Sequence, residues 1–246
     1  MLKMKHNLLL LLVFSLLTLP LQAQRAAETK PQEKSTITLD WPQPFCGVAI
    51  KGALKVDFVR LQPGQVCKIT YTTSHSPEHR LQAKIDKSGV LRIHERPEKG
   101  VVDTTRVTVY YTSLDMVELR EAKGRFSSVV EEPMFDLILL DGARAEAKLL
   151  VQDLLLRVEG KSELTLSGEA RYMTLKTSGS TRVDAANLRT MASYVKAESK
   201  AWVRIEVSER LEAYLSSSKL RYGGNPQWVR GETSFGSLLT SAHLEL

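Results

Sequence analysis

The sequence predicts an all-β protein built as a parallel β-helix, a solenoid with coils of about 18–20 residues. Two observations carry this prediction. Apolar and polar residues alternate in short runs from Trp41 onwards, which is typical of half-buried strands, and no window of comparable length shows a helical stripe. In the C-terminal half the alternation also recurs at a nearly fixed period, which is typical of repeat architectures.

The repeat consists of two short apolar-x-apolar triplets separated by a small residue. The first triplets start 19, 20 and 18 residues apart, at Leu156, Leu175, Val195 and Ala213. The small residues that follow them are Gly160, Gly179, Ser199 and Ser217. The second triplets start at Leu164, Val183, Val203 and Leu220. Weaker versions of the repeat extend it in both directions, over residues 137–147 and 229–238.

A solenoid in which each repeat forms one coil explains the constant spacing of the triplets. In a parallel solenoid each strand stacks on its equivalent one coil away, at about 4.8 Å, so that equivalent residues form columns. The first residues of the triplets then point inward and the middle residues point outward, while small residues allow a sharp corner. A β-meander also gives short, regularly spaced strands, but it does not require identical phasing in every repeat.

The N-terminus has the features of a secretory signal peptide, predicted over residues 1–23. Lys3 and Lys5 precede an apolar run at 8–17, and Ala23 offers a small residue for cleavage. The run is shorter than the roughly 20 residues that span a bilayer. We therefore expect cleavage rather than an uncut membrane anchor, and no transmembrane segment afterwards.

The remaining chain divides into a linker and one domain. Residues 24–40 are polar and contain Pro31, which predicts a flexible linker. Residues 41–246 are predicted to form the β-helix domain. Its first part, 41–112, should contain less regular N-terminal coils and a cap, and 113–246 the regular coils.

Charge and cysteine content limit the partners. The formal net charge is +6, or +4 without residues 1–23, and no dense Lys/Arg block occurs, so nucleic acid is not expected as a partner. Cys46 and Cys67 flank strand-like segments. In an oxidising compartment they could form a disulfide, and the alternative is two buried small hydrophobic residues.

No catalytic or metal-binding motif stands out, and we expect no cofactor. His75 and His79 have a spacing that suits a metal site on a helix, but Pro77 lies between them and favours a solvated loop. An enzyme that cleaves glycans needs several carboxylates on one face. Asp141 and Glu159 could be neighbours at a corner, but the outward columns show no stack of acids.

The most suggestive surface is made of outward-facing residues of successive coils. The candidate ligand-binding face consists of Arg157, Lys176, Lys196, Tyr214, Trp202, Arg204 and Arg221. One interpretation is a shallow groove for an acidic glycan, with Tyr214 or Trp202 as a stacking platform. The other is a solvated sheet face on which Glu159 and Glu198 neutralise the cations.

Several stretches together resemble one family. They are FCGVAI at residues 45–50, the S-G-S-like corners, RVTVYY at 106–111 and YGGNP at 222–226. The chain resembles the exported head GIN domain proteins, named as auto-transporter adhesins, over about residues 41–239. The resemblance implies a right-handed parallel β-helix exported by a Gram-negative bacterium to the periplasm, the outer surface or the medium. The corners at 159–161, 198–200 and 216–218 depart from the S-G-S-G pattern of the family.

From these features we expect an exported, non-enzymatic β-helix protein. It would act as an adhesin or a surface-binding module, with an acidic glycan or another cell-surface component as its partner. Two other functions remain open at this stage. One is a structural protein of the cell envelope without a ligand, and the other is a carbohydrate-active β-helix enzyme. The sequence does not fix the oligomeric state.

Overall fold

A computed structural model describes residues 35–41, 44–73, 81–95 and 105–242. The described residues form seventeen β-strands in one continuous sheet and contain no α-helix. The predicted signal peptide at 1–23 lies outside the described residues, as do His75 and His79. No described helix has the length and apolar character needed to span a membrane.

The strands of the N-terminal part are short. They are β1 (Ser35–Trp41), β2 (Gly47–Lys51), β3 (Lys55–Arg60), β4 (Cys67–Thr73), β5 (Leu81–Ile85), β6 (Val90–Glu95), β7 (Arg106–Tyr111), β8 (Met116–Arg120) and β9 (Lys123–Phe126). Longer strands follow: β10 (Val130–Leu140), β11 (Arg144–Gly160), β12 (Glu163–Gly179), β13 (Arg182–Glu198) and β14 (Trp202–Ser216). The chain ends with β15 (Lys219–Gly223), β16 (Trp228–Ser234) and β17 (Leu238–Ser241).

The predicted parallel β-solenoid is confirmed, with about seven turns. From β8 to β15 each strand pairs in parallel with its equivalent one coil later. Each regular coil has three straight segments. In β12 they are residues 163–166, 168–170 and 173–177, and the in–out alternation slips between them. We call the surfaces formed by these segments and their stacked equivalents face A, face B and face C.

The predicted columns are present in the core. Leu156 stacks on Leu175, Leu175 on Val195, and Val195 on Ala213. All four are buried. The column ends at Gly231, where the space of a side chain is occupied by Leu239. Side-chain volume in this column therefore falls toward the C-terminal end of the solenoid.

The corners follow the predicted small residues. Gly160, Gly179, Ser199 and Ser217 all have positive φ, with values of 79°, 92°, 59° and 51°. The two serines adopt a left-handed conformation that normally favours glycine, so the corner geometry is preserved where the glycine is not.

The N-terminal coils are stacked out of chain order. On face C, β2 lies between β6 and β8, and on face A, β3 lies between β7 and β9. The coil formed by β2 and β3 is therefore enclosed by two coils that follow it in the sequence. Beyond them the sheet continues in antiparallel strands, with β4 beside β7, β1 beside β4, and β5 beside β6.

The prediction of a flexible linker over residues 24–40 is wrong for its last six residues, which belong to β1. This strand pairs with β4 in an antiparallel register that joins Ile37 to Tyr71 and Leu39 to Ile69. The alternating, partly β-branched sequence TITL suits a strand, and the edge of β4 offers it a partner. Residues 24–34 lie outside the described residues.

Candidate functional site

The residues of the predicted ligand-binding face lie on two different faces. Arg157, Lys176, Lys196 and Tyr214 form one outward column on face C, each in register with the next. Trp202, Arg204 and Arg221 lie on face A. The prediction of one common face is therefore wrong, because the middle residues of both triplets point outward but a corner separates the segments that carry them.

Ion pairs neutralise most of the cations in the face C column. Arg157 Nε lies 2.6 Å from Glu159 Oε1, and Lys196 Nζ lies 2.9 Å from Glu198 Oε1. The hydrogen bond from each cation to its glutamate raises the pKa of Arg157 and of Lys196. Lys176 is the exception, since Ser178 follows it at the equivalent position and no described carboxylate lies within ion-pair distance of it. The interpretation of face C as a salt-bridged sheet surface fits two of its three cations.

Tyr214 is also held by its neighbours. Its hydroxyl donates a hydrogen bond of 2.6 Å to Glu212 Oε1, which raises the pKa of Tyr214. Its ring lies 5.7 Å from that of Tyr194, measured between centroids. The guanidinium of Arg230 lies 6.0 Å from the same ring. The tyrosine is therefore one part of a charged and aromatic cluster rather than an isolated platform.

Face A carries a longer row of cations, which lies outside the face predicted from the sequence. We call it the basic ladder, and it follows the first outward position of eight stacked strands. In order along the solenoid its residues are Arg106, Lys55, Lys123, Arg144, Glu163, Arg182, Trp202 and Lys219. All six cations are exposed.

The backbone of the corners fixes the position of the basic ladder. Arg182 N donates to Ser162 O at 3.0 Å, Trp202 N to Thr181 O at 2.9 Å, and Lys219 N to Ala201 O at 2.9 Å. Each acceptor is the small, inward-pointing residue that closes the corner of the preceding coil. These bonds place one ladder side chain per coil directly after the turn.

The ladder is only partly neutralised. Arg144 Nη2 lies 3.0 Å from Glu163 Oε1. Among the described residues, no carboxylate comes within 4.0 Å of the charged groups of Lys55, Arg106, Lys123 and Lys219. Fixed cations about 4.8 Å apart, the spacing of neighbouring strands, repel one another and attract a polyanion.

The second outward position of face A adds charges of both signs. It carries Asp57, Arg125, Glu146, Asp184, Arg204 and Arg221. Arg125 pairs with Asp57 at 2.9 Å, and Arg204 with Asp184 at 3.3 Å. Taken together, the first two outward positions of face A hold nine cationic and four acidic side chains, so the face is net positive.

Trp202 interrupts the cations with an aromatic ring. Arg182 approaches the ring to 4.2 Å and Arg204 to 5.9 Å, measured from the guanidinium carbon to the ring centroid. The side chain is partly exposed. A stacking surface is thus framed by positive charge on the same sheet, which is the arrangement predicted for Tyr214 or Trp202.

Local signals for the ladder exist in the sequence. In the regular coils each ladder residue directly precedes the first apolar residue of the second triplet, as Arg182 precedes Val183 and Lys219 precedes Leu220. Apart from Trp202, the predicted face contained only the middle residues of the triplets. The N-terminal part of the ladder, Lys55 and Arg106, depends on the out-of-order stacking of β3 and β7, for which the sequence has no periodic signal.

Cys46 and Cys67, for which the sequence left a disulfide open, are both free cysteines in the structure. Cys67 is buried beside Thr112, with its Sγ 3.8 Å from Thr112 Oγ1. Cys46 is exposed and lies against the turn before β6, with its Sγ 3.7 Å from Gly89 O. The alternative of two buried residues holds for Cys67 only.

Within the described ranges, no three His, Cys, Asp or Glu side chains are grouped so that they could hold a metal ion. The two corner acids considered in the sequence are each engaged by a cation. Asp141 Oδ2 lies 2.6 Å from Arg120 Nη1, and Glu159 pairs with Arg157. Ion pairing therefore accounts for both carboxylates.

Comparison with known protein families shows to which family this chain belongs. The family described as "Putative auto-transporter adhesin, head GIN domain" matches residues 44–226. The chain belongs to the head GIN domain family. The match covers most of the described solenoid, including the basic ladder, and confirms the resemblance seen in the sequence. Among curated proteins no sequence matches.

Solved structures share the head GIN domain fold at low sequence identity. A "putative adhesin" from Bacteroides fragilis has a TM-score of 0.75 at 15% identity, covering 85% of this chain and 98% of that one. A "putative adhesin" from Parabacteroides merdae has a TM-score of 0.61 at 15% identity, covering 86% and 97%. A "putative lipid binding protein" from Parabacteroides distasonis has a TM-score of 0.66 at 12% identity, covering 86% and 98%. These likenesses show that the fold is shared.

Proposed function

We propose that this head GIN domain protein is an exported, non-enzymatic adhesion module that binds an acidic polysaccharide along face A. The basic ladder is the observation that carries the proposal. It presents one side chain per coil in a straight line parallel to the solenoid axis, so its natural ligand is itself linear and repeating. Carboxylate or sulfate groups along a glycan chain would meet a cation at most steps of the ladder.

Electrostatics favour face A over face C. On face C the cations Arg157 and Lys196 already have glutamates on the same strand, and an incoming anion would have to compete with them. Lys55, Lys123 and Lys219 on face A have no such partners among the described residues. A polyanion can therefore bind face A without breaking existing ion pairs at these three positions.

Trp202 would add specificity for a sugar. Pyranose rings present an apolar face that stacks on aromatic side chains, and an aromatic ring next to fixed cations binds both parts of an acidic sugar. Arg182 and Arg204 flank the indole. Arg204 already pairs with Asp184, whereas Arg182 has no carboxylate within 4.0 Å among the described residues and can donate hydrogen bonds to a ligand carboxylate in a fixed fork geometry. The region from Arg182 to Lys219 is the proposed centre of the site.

The non-enzymatic part of the proposal is supported by the naming of the family and of its structural neighbours for adhesion. Export is supported by the sequence of residues 1–23 and by the same naming. A surface protein that holds acidic polysaccharide would attach a cell to a capsule, a host glycan or a biofilm matrix.

Binding of the purified protein to polygalacturonate, a linear uronic-acid polymer, tests the proposal, with neutral dextran as the control. We expect binding to polygalacturonate that weakens steeply as salt is raised, since salt screens exposed charges. Dextran should bind weakly and with little salt dependence. Equal binding of both polymers, or binding of neither at low salt, would refute an electrostatic glycan site.

A further inference from the structure

The C-terminal end of the solenoid presents an open strand edge at β16. In the described part of the chain, β16 pairs only with β14. Every residue of β16 is exposed. The opposite end differs, because antiparallel strands extend the sheet there beyond the first coil. Open edges of this kind are templates for pairing with another strand.

Large apolar side chains cluster at the same end. Trp228, Val229, Phe235 and Leu238 are exposed by 41%, 40%, 80% and 53%. Val229 continues an inward column of the core through Leu211, so its exposure results from the lack of a further coil in the described structure. A partner that continued the sheet would cover it.

The sequence of β16 is complementary to itself in the antiparallel direction. Gly231 is the central residue of the strand Trp228–Ser234. When two copies pair about this residue, Arg230 of one copy lies opposite Glu232 of the other, and the reverse pair forms on the other side. Directly opposite residues of antiparallel strands share a face, and opposite charges there are stabilising.

Neighbouring registers lack this match. A pairing centred on position 230 places two copies of Arg230 opposite each other, and one centred on position 232 does the same for Glu232. Like charges directly opposite each other destabilise a strand pair. Within one chain Arg230 Nη2 lies 2.7 Å from Glu232 Oε1. In the register centred on Gly231 the two intrachain pairs form one alternating cluster of four charges, so the charges of β16 favour this register over its neighbours.

We propose that two copies of this chain associate through their C-terminal ends, with β16 pairing with β16 of the second copy in the register centred on Gly231. The contact is isologous. Its two-fold axis lies midway between the two copies of Gly231 and is perpendicular to the plane of the shared sheet. This axis keeps the inward sides of both strands on the same side of the sheet, so Val229 lies opposite Thr233 of the second copy and the two cores join. Face C then continues across the axis as one sheet.

Charge reversal tests the register. Sedimentation velocity over a concentration series should show a dimer for the wild-type protein and a monomer for R230E and for E232R, because each single change places like charges opposite each other. An equimolar mixture of R230E and E232R should form dimers again, since the two edges are then complementary. The double variant R230E/E232R restores the match within one chain and should also form a dimer.

Unchanged circular dichroism spectra of the four proteins would show that the fold is retained, whereas the melting temperature should be lower for the monomeric variants because a dimer contact stabilises the folded state. A wild-type protein that is monomeric throughout the series would overturn the proposal. So would single variants that dimerise like the wild type, or a mixture that fails to recover. The inference does not depend on the proposed ligand, since these measurements contain no polysaccharide.

Discussion

The guanidinium of Arg182 lies 4.2 Å from the ring centroid of Trp202, and the two residues occupy the same position in successive coils. This stack is held by the sheet register and by the corner hydrogen bonds that precede each residue. It keeps the indole ring in place on a face that is otherwise dominated by cations. The proposed glycan site depends on this combination of a fixed ring and fixed charge.

Replacing the ring should weaken binding without removing its salt dependence. Trp202→Ala removes the ring on which a sugar would stack, and for an aromatic contact of about 0.5–1.5 kcal/mol we expect polygalacturonate affinity to fall by roughly 2- to 13-fold. Trp202→Phe retains an aromatic platform and is the matched control. Titration at two salt concentrations measures both effects. Equal losses for the two variants would show that the ring is not a platform.

The core column gives a prediction on stability. Leu175 is fully buried between Leu156 and Val195, so Leu175→Ala should lower the free energy of unfolding by about 2–5 kcal/mol. Leu155 is 40% exposed on the outer side of the neighbouring coil. Leu155→Ala should therefore change the free energy of unfolding by about 0.5 kcal/mol or less. Urea unfolding of both variants measures the difference. Similar losses would mean that Leu175 does not belong to a packed column.

The corner geometry gives a third prediction. Gly179 has φ of 92°, and a Cβ added there would lie 2.5 Å from Gly160 O of the preceding coil. Gly142 has φ of 83°, but an added Cβ would meet no atom within 4 Å. Gly142→Ala should therefore cost about 1–2 kcal/mol for the left-handed conformation alone.

Gly179→Ala should cost clearly more than Gly142→Ala, because the corners of two coils must separate to admit the methyl group. Chemical unfolding of both variants under the same conditions provides the comparison. Equal destabilisation by the two substitutions would show that the corners at Gly160 and Gly179 are not closely stacked.

A buried phenol predicts a loss of stability at high pH. Tyr111 is fully buried, and burial raises its pKa to about 12. In the unfolded chain a tyrosine ionises near pH 10, so between these values the unfolded chain binds fewer protons than the folded one. The contribution of Tyr111 is fully present below pH 10 and is lost as the pH rises through 12, by about 2–3 kcal/mol.

Tyr111→Phe removes this titration and leaves the other high-pH groups unchanged. We expect the stability difference between wild type and variant to shift in favour of the variant between pH 9 and pH 12. Denaturant unfolding at both pH values measures it. A difference that does not change with pH would show that Tyr111 ionises normally in the folded protein.

Much of the fold follows from the sequence, because each coil must present the same in–out pattern to the one below. This requirement places Leu156, Leu175 and Val195 at a regular period and small residues at the corners. The order in which the N-terminal coils stack does not follow from the sequence. The alternation in β2 and β3 shows that they are strands, but it carries no information on the coils between which they lie.

The candidate site was only partly predictable for a related reason. Alternation separates inward from outward residues, which identified Lys176 and Arg204 correctly as outward. It does not assign them to a face, because that depends on where the chain bends between segments. The basic ladder also uses the residue directly after each corner, where the apolar pattern has not yet begun.

The most direct test compares charge reversal on the two faces at equal net charge. K123E/R182E/K219E alters the basic ladder, and R157E/K176E/K196E alters the face C column by the same total charge. If the ladder is the site, the first variant should lose affinity for polygalacturonate by at least about tenfold and the second should bind nearly as the wild type does. Equal losses would show that only the overall charge matters, and a selective loss in the second variant would place the site on face C.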